Sequence, residues 1–251
     1  MAEGDTILRA ARRLDAALTG ETLAASAPNP RGRAAGIERL DGRRLDRVSS
    51  HGKNLLLHCG DLVLHSHMGM NGSWHLYPRG GRWRKPRRSA WAVLAGEGSE
   101  AVQFGGPTLR LILADRLRRD PQLARLGPDI LAPNFDVELI AQSLAGAPDR
   151  GLGDALLDQH LVAGIGNIFK SEACFAARVD PWRPLADLGD EELRAVLAAA
   201  RTQMLDAVAS GRHTYAVYRA RRSCPICHGR ISSRGQGDAN RTTYWCPRCQ
   251  V

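Results

Sequence analysis

The sequence predicts an α+β protein of several domains: an N-terminal antiparallel β-sandwich with a flanking helix, a helical domain, and a C-terminal zinc-finger β-hairpin. Three observations carry this. Short apolar runs separated by turn residues fill the first half of the chain, whereas longer stretches of helical period follow. A cluster of two prolines and a glycine, Gly127-Pro128 and Pro133, lies between the two regimes and marks a boundary. Finally, Cys224-Pro225-Ile226-Cys227 and Cys246-Pro247-Arg248-Cys249 flank an 18-residue spacer. The 251 residues divide on this basis into segments 1–127, 128–222 and 223–251.

The elements follow in order. Residues 5–19 read as an amphipathic helix with Ile7, Leu8, Ala11, Leu14 and Leu18 on one face, Asp5 as N-cap and Gly20 as stop. Seven strands are expected at 45–48, 54–58, 62–65, 73–77, 90–95, 101–104 and 109–113, with a hairpin turn over Cys59-Gly60-Asp61. Residues 80–88 are basic and irregular and read as an exposed loop. Beyond the boundary, helices are expected at 135–144, from 153 to 159, at 167–177 and at 190–210. Between the second and third lies Val162-Ala163-Gly164-Ile165-Gly166-Asn167. Two glycines in so short a turn let backbone approach an anion closely, and amides at the next helix start can meet a phosphate.

The paired CxxC motifs are the sharpest chemical signal. Each forms a tight knuckle that aims two thiolates at one ion. Cys224, Cys227, Cys246 and Cys249 therefore predict a single structural Zn2+ site of tetrahedral geometry, with a hairpin between the knuckles. Arg230, Arg234 and Arg241 lie in the spacer, and Arg219, Arg221 and Arg222 precede it. Guanidinium groups around a metal-stapled hairpin suit phosphate contacts. The formal charge of +9 points the same way. Lysine occurs only at 53, 85 and 170, so the excess is arginine. The remaining cysteines, Cys59 and Cys174, sit in apolar stretches and are expected to be buried free thiols, as in a reducing compartment. No apolar run approaches membrane-spanning length and no signal-peptide pattern is present, so a cytoplasmic protein without membrane contact is expected.

Taken in order, these pieces resemble the formamidopyrimidine-DNA glycosylase / endonuclease VIII family of base-excision repair enzymes. The resemblance rests on Leu126-Gly127-Pro128-Asp129, on Val162 through Phe169, on His51-Gly52-Lys53, on Val217-Tyr218 and on Arg241 through Gln250. The start Glu3-Gly4-Asp5-Thr6 and the segment His65 through Trp74 look closest to an actinobacterial endonuclease VIII-like branch. The resemblance implies a helix–two-turn–helix DNA-binding domain over 128–222. It also implies a monomer acting on damaged DNA at the bacterial nucleoid, excising a base and cleaving the abasic site by β/δ-elimination.

The family's chemistry assigns roles by motif position. After removal of Met1, the Ala2 amine would attack C1′ and form a Schiff base; an α-amine titrates near pH 8, so a neutral fraction exists. Glu3 would be the general acid/base at the sugar ring. Lys53 would contact a flanking phosphate and assist elimination. Asn167 and Arg241 would hold phosphates around the extruded nucleotide, and Met70 would fill the gap left by the flipped base. Two departures stand out. The family's usual nucleophile is a proline, whereas position 2 is Ala2, which opens the alternative of a weak or inactive damaged-DNA-binding protein. The Asp-x-Arg-Arg-Phe-Gly wedge loop is missing; Gln103 through Thr108 stands in its place. Oxidised pyrimidines and abasic sites are the expected substrates.

Overall fold

A computed structural model describes residues 2–219 and 223–251; Arg221 and Arg222, singled out above, lie outside them. The chain divides into two compact units. The first comprises residues 6–124 with the N-terminal Ala2, and the second comprises 125–251 together with Glu3–Asp5.

Two four-stranded antiparallel sheets build the first unit. One has the order β2 (Arg47–His51), β3 (Asn54–Cys59), β4 (Leu62–His67), β8 (Thr108–Leu113). The other runs β1 (Ala24–Ser26), β6 (Ala90–Ala95), β7 (Ser99–Phe104), β5 (Ser73–Pro78). Their facing side chains, among them Leu55, Leu57, Leu64, Ala92 and Leu94, form one core with Ile7, Ala11, Leu14 and Leu18 of α1 (Gly4–Leu18). The α1 stripe follows from the 3.6-residue period, and Leu8 falls at its edge, half-buried. Asp15 ties α1 to the sheet by accepting from the Val48 amide at 2.7 Å. All of β3 is buried, as a central strand covered on both faces requires.

Several local expectations are corrected. The helix begins at Gly4, so Asp5 lies inside its first turn rather than capping it. The short strand β1 and the five-residue helix α2 (Pro30–Ala34) carry too few residues to show a period. The helix expected over 153–159 is only one turn, α4 (Leu152–Ala155), because the Asp158 carboxylate captures the His160 amide and turns the chain.

The second unit contains α3 (Val137–Ala145), α4, α5 (Asn167–Ala176), the long α6 (Asp190–Ser210) and the hairpin β9 (Ser232–Gln236)–β10 (Arg241–Trp245). Residues 126–131 brace the corner before α5. Pro128 accepts from the Ala163 amide at 2.9 Å, Ile130 donates to the Ala163 carbonyl at 3.0 Å, and Gly127 donates to Gln159 at 2.9 Å. Gly127 is pressed against that corner: a Cβ there would lie 2.5 Å from the His160 carbonyl oxygen and 2.7 Å from Leu161. These are backbone atoms and cannot swing away. Among the described residues, no helix is long and apolar enough to cross a membrane. Gly127→Ala should therefore destabilise the second unit by about 1–3 kcal/mol through overpacking, read as a lowered denaturation midpoint; an unchanged midpoint would show that the corner yields.

Candidate active site and metal centre

Glu3 is fully buried in the second unit. Its carboxylate accepts from the Ile168 amide at 2.9 Å and, more weakly, from the Phe169 amide at 3.4 Å. These are amides of the first turn of α5, which have no partner within the helix. The helix dipole and the N–H groups together hold a negative charge there. The anion at these two amides is thus the chain's own Glu3, at a helix start that the sequence pattern presents as able to meet a phosphate. The glycines of the corner make room for it. A Cβ on Gly166 would lie 2.2–2.5 Å from the Glu3 side chain. Gly164 adopts φ 109° and accepts from the Gly4 amide at 2.9 Å.

Asn167, the first residue of α5, is nearly buried, and its amide is already engaged. Its Nδ2 donates to the Thr242 carbonyl at 2.8 Å, and its Oδ1 accepts from Lys170 Nζ at 2.8 Å. Only one Nδ2 hydrogen remains for an outside acceptor. Lys170 is wholly buried and also donates to Thr243 Oγ1 at 2.6 Å. Thr243 in turn donates to Gln236, whose Nε2 reaches the Pro181 carbonyl. One lysine therefore locks the orientation of the Asn167 amide and ties α5 to both strands of the hairpin. Arg241, at the start of β10, is exposed. Burial pulls Lys170 down to about 8, against the attraction of Glu3 and Asp154 and with the Arg241 guanidinium pushing the same way.

Sequence reasoning missed this role of Lys170, although its i+3 spacing from Asn167 and its rarity were visible signals. The partners of two other acids were missed as well. Asp5, fully buried, lies 2.8 Å from His213 Nε2. Glu172 accepts from three consecutive amides, Ala216, Val217 and Tyr218, at 2.6–2.9 Å.

In the first unit, Lys53 sits in the tight turn joining β2 and β3 beside Gly52, which takes φ 55°. The turn is braced from inside the sheet. Asn54 Nδ2 donates to the His51 carbonyl, and Asn54 Oδ1 pairs with His65 Nε2 at 2.8 Å. Arg110 donates to His65 Nδ1 and is itself held by Asp120 at 2.6 Å. Burial first, and then Arg110, push the His65 pKa down to about 4. The ring is neutral at ordinary pH, with Nε2 as donor and Nδ1 as acceptor. Met70 is 58% exposed, which is unusual for so apolar a side chain. A cavity of about 290 Å³ opens beside Ala2, lined by Arg9, Arg13, Met68, Met70 and Trp74 among others. The Ala2 nitrogen lies 3.5 Å from the Gly69 carbonyl.

The four finger cysteines converge in the second unit. Their sulfurs all lie within 4.8 Å of one another, with Cys224–Cys249 at 3.8 Å and Cys227–Cys246 at 3.5 Å. A tetrahedral ion with metal–sulfur bonds of about 2.3 Å requires edges of about 3.8 Å, so the cluster fits a metal ion. The Ile226 and Gly229 amides point at Cys224 and Cys227 sulfur at 3.4 Å, as anionic thiolates favour. Gln250 fastens the second knuckle by accepting from the Cys246 amide and donating to the Val179 carbonyl. Cys59 and Cys174 are buried and unbridged, with burial pushing their thiols up to about 11 and about 12.

Two family profiles match the chain: the formamidopyrimidine-DNA glycosylase N-terminal domain over residues 1–107 and the formamidopyrimidine-DNA glycosylase H2TH domain over 126–218. The chain belongs to the formamidopyrimidine-DNA glycosylase / endonuclease VIII family, and within it to the actinobacterial endonuclease VIII-like branch. It is 37% identical to "Probable endonuclease 8 2" of Streptomyces coelicolor, over all of this chain and 94% of the relative. It is 35% identical to "DNA-(apurinic or apyrimidinic site) lyase Nei2" of Mycolicibacterium smegmatis, over all of this chain and 99% of the relative. The crystal structure of the Thermus thermophilus MutM (Fpg) protein superposes with a TM-score of 0.81 at 29% identity, covering 99% of this chain and 98% of that one.

Lys170 yields a test with a defined sign. Its pKa in the folded chain, about 8, lies below the ordinary 10.5. Between those values the unfolded chain holds more protons, so this group makes the protein more stable as pH rises. Lys170→Met removes that gain. Denaturation midpoints of the two proteins should shift in the native protein's favour from about pH 8 to 10; parallel curves would mean the lysine is not desolvated.

Proposed function

We propose that this protein is a DNA glycosylase with abasic-site lyase activity, directed at oxidised pyrimidines and abasic sites. The observation that carries the reading is the burial of Glu3 on the α5 N-terminus, one peptide bond from Ala2. An acid held so firmly beside a nucleophilic amine suits proton transfer at a sugar ring. Similarity to an abasic-site lyase over the whole chain supports the same chemistry.

In this mechanism, Met1 is removed and the neutral Ala2 amine attacks C1′. The glycosidic bond breaks, and its electron pair leaves with the base. Glu3 moves the proton that the ring oxygen O4′ needs when the sugar opens. The resulting imine, once protonated, acidifies the C2′ hydrogen. Its loss expels the 3′-phosphate oxygen, and a second elimination expels the 5′-phosphate oxygen. Lys53 contacts a flanking phosphate and assists elimination. Asn167, through its free Nδ2 hydrogen, and Arg241 hold backbone phosphates, and Met70 fills the vacated stack. A Zn2+ ion held by Cys224, Cys227, Cys246 and Cys249 would fix the hairpin that presents Arg241 and would take no part in the chemistry. The working segments are 1–127, 128–222 and 223–251, in a monomer acting on cytoplasmic DNA.

Borohydride trapping on abasic-site DNA tests the reading, alongside an intact-mass measurement showing that Met1 is gone. A covalent adduct is expected, and Ala2→Pro should retain it. Glu3→Gln should lower base excision by about 10²–10⁴-fold. Correctly processed protein that binds abasic DNA yet gives no adduct would make it a non-catalytic damage binder instead.

Chelation provides an independent check. Metal removal should unfold the 223–251 hairpin and weaken DNA binding, because the site does not form in the unfolded chain. An unchanged fold and affinity in chelator would remove the metal from the account.

A further inference from the structure

The 80–89 loop between β5 and β6 carries arginine charge that no carboxylate among the described residues neutralises. Arg82, Arg84, Arg87 and Arg88 are all exposed, and among the described residues none has a carboxylate partner. The loop is nonetheless built, not loose. Trp83 turns inward, donates to Glu100 at 2.5 Å and stacks on Tyr77 with centroids 6.2 Å apart. The Arg84 amide donates to the Tyr77 hydroxyl at 3.2 Å. Lys85 also turns inward, to Ser73 Oγ at 3.1 Å and over the Phe104 ring. The Arg88 carbonyl accepts from Asn29. The Arg87 guanidinium lies 4.4 Å from the centre of the Trp83 ring. The nearest acid on the paired strand, Glu100, is buried and spent on Trp83.

A solubilising charge run needs no such scaffold. Here one aromatic and one lysine anchor the segment, so that exposed arginines are carried on a fixed backbone, with Arg87 laid over the Trp83 ring. Arginine in that setting suits planar, bidentate contact with phosphate, and little backbone order need be created on binding. The loop meets the rim of the cavity beside Ala2 through Lys85. Ser73, which receives Lys85, lines that cavity, as do Arg9 and Arg13.

We propose that the 80–89 loop is an accessory nucleic-acid backbone site, in which Arg82, Arg84, Arg87 and Arg88 hold phosphates of the damaged strand's duplex beyond the lesion. The choice of polyanion rests on the glycosylase reading; the strip itself rests on the loop geometry. It reads no bases and adds affinity and residence on DNA rather than lesion discrimination.

The test uses the full chain with all four arginines changed to serine and, separately, to lysine. Affinity for undamaged duplex and for duplex bearing an abasic analogue is measured across salt concentrations. Each phosphate contact contributes about 0.9 to the slope of log affinity against log salt. The serine variant should therefore show a slope shallower by about 3–4 on both duplexes, and the lysine variant should keep most of it. Adduct yield at saturating abasic DNA should be unchanged in both. An unaltered slope in the serine variant overturns the proposal, as does a lysine variant that loses as much as serine. Should the serine variant melt early, the pair Arg82→Glu and Arg88→Glu, both at exposed positions, reports in its place through a slope shallower by about 2. Failure of the native protein to form any adduct would sink the glycosylase reading and leave the salt comparison intact.

Discussion

The second unit is organised around one carboxylate on one helix end. Glu3 satisfies two amides of α5 that would otherwise be buried without partners, and it does so from 165 positions away in the chain. A buried carboxylate is costly unless hydrogen bonded, and buried amides are equally costly unless paired. Each removes the penalty of the other. The bare Cα of Gly166 follows from this contact, since any side chain would displace Glu3. So does the approach of Gly4 to Gly164. The corner that sequence patterns present as a phosphate cradle is first a socket for the chain's own acid.

Next to that socket, Lys170 performs a similar service for Asn167 and the hairpin. A buried ammonium needs acceptors on several sides. It finds them on Asn167 and Thr243, so α5 and the hairpin share a single polar network. Such networks specify orientation more than they add stability. The metal cluster and Gln250 secure the far end of the same hairpin. Arg241 thus projects from a strand anchored at both ends.

Legibility from sequence tracked the range of the interaction. The knuckles, the β-sandwich strands and the apolar face of α1 depend on neighbours a few residues apart, and their patterns were plain. The thiolate cluster was readable because two short motifs carry it. The partners of Glu3, Asp5, Glu172 and Lys170 were not readable, because each lies tens to hundreds of residues away and no local period encodes it. The glycines of the corner were noticed but not the carboxylate they make room for, since a bare Cα says that something approaches and not what. Residues 153–159 looked helical by composition, but an Asp158 side chain competes with the helix in a way that propensity does not capture.

Glu172 holds residues 216–218 by their main chain alone. A clasp of that kind is indifferent to the side chains it carries. The grip itself survives substitution there, but buried Val217 and Tyr218 and the His213 ring against Asp5 are held by their own packing, which leaves the exposed Thr214 and Tyr215 as the positions open to drift while the path stays set.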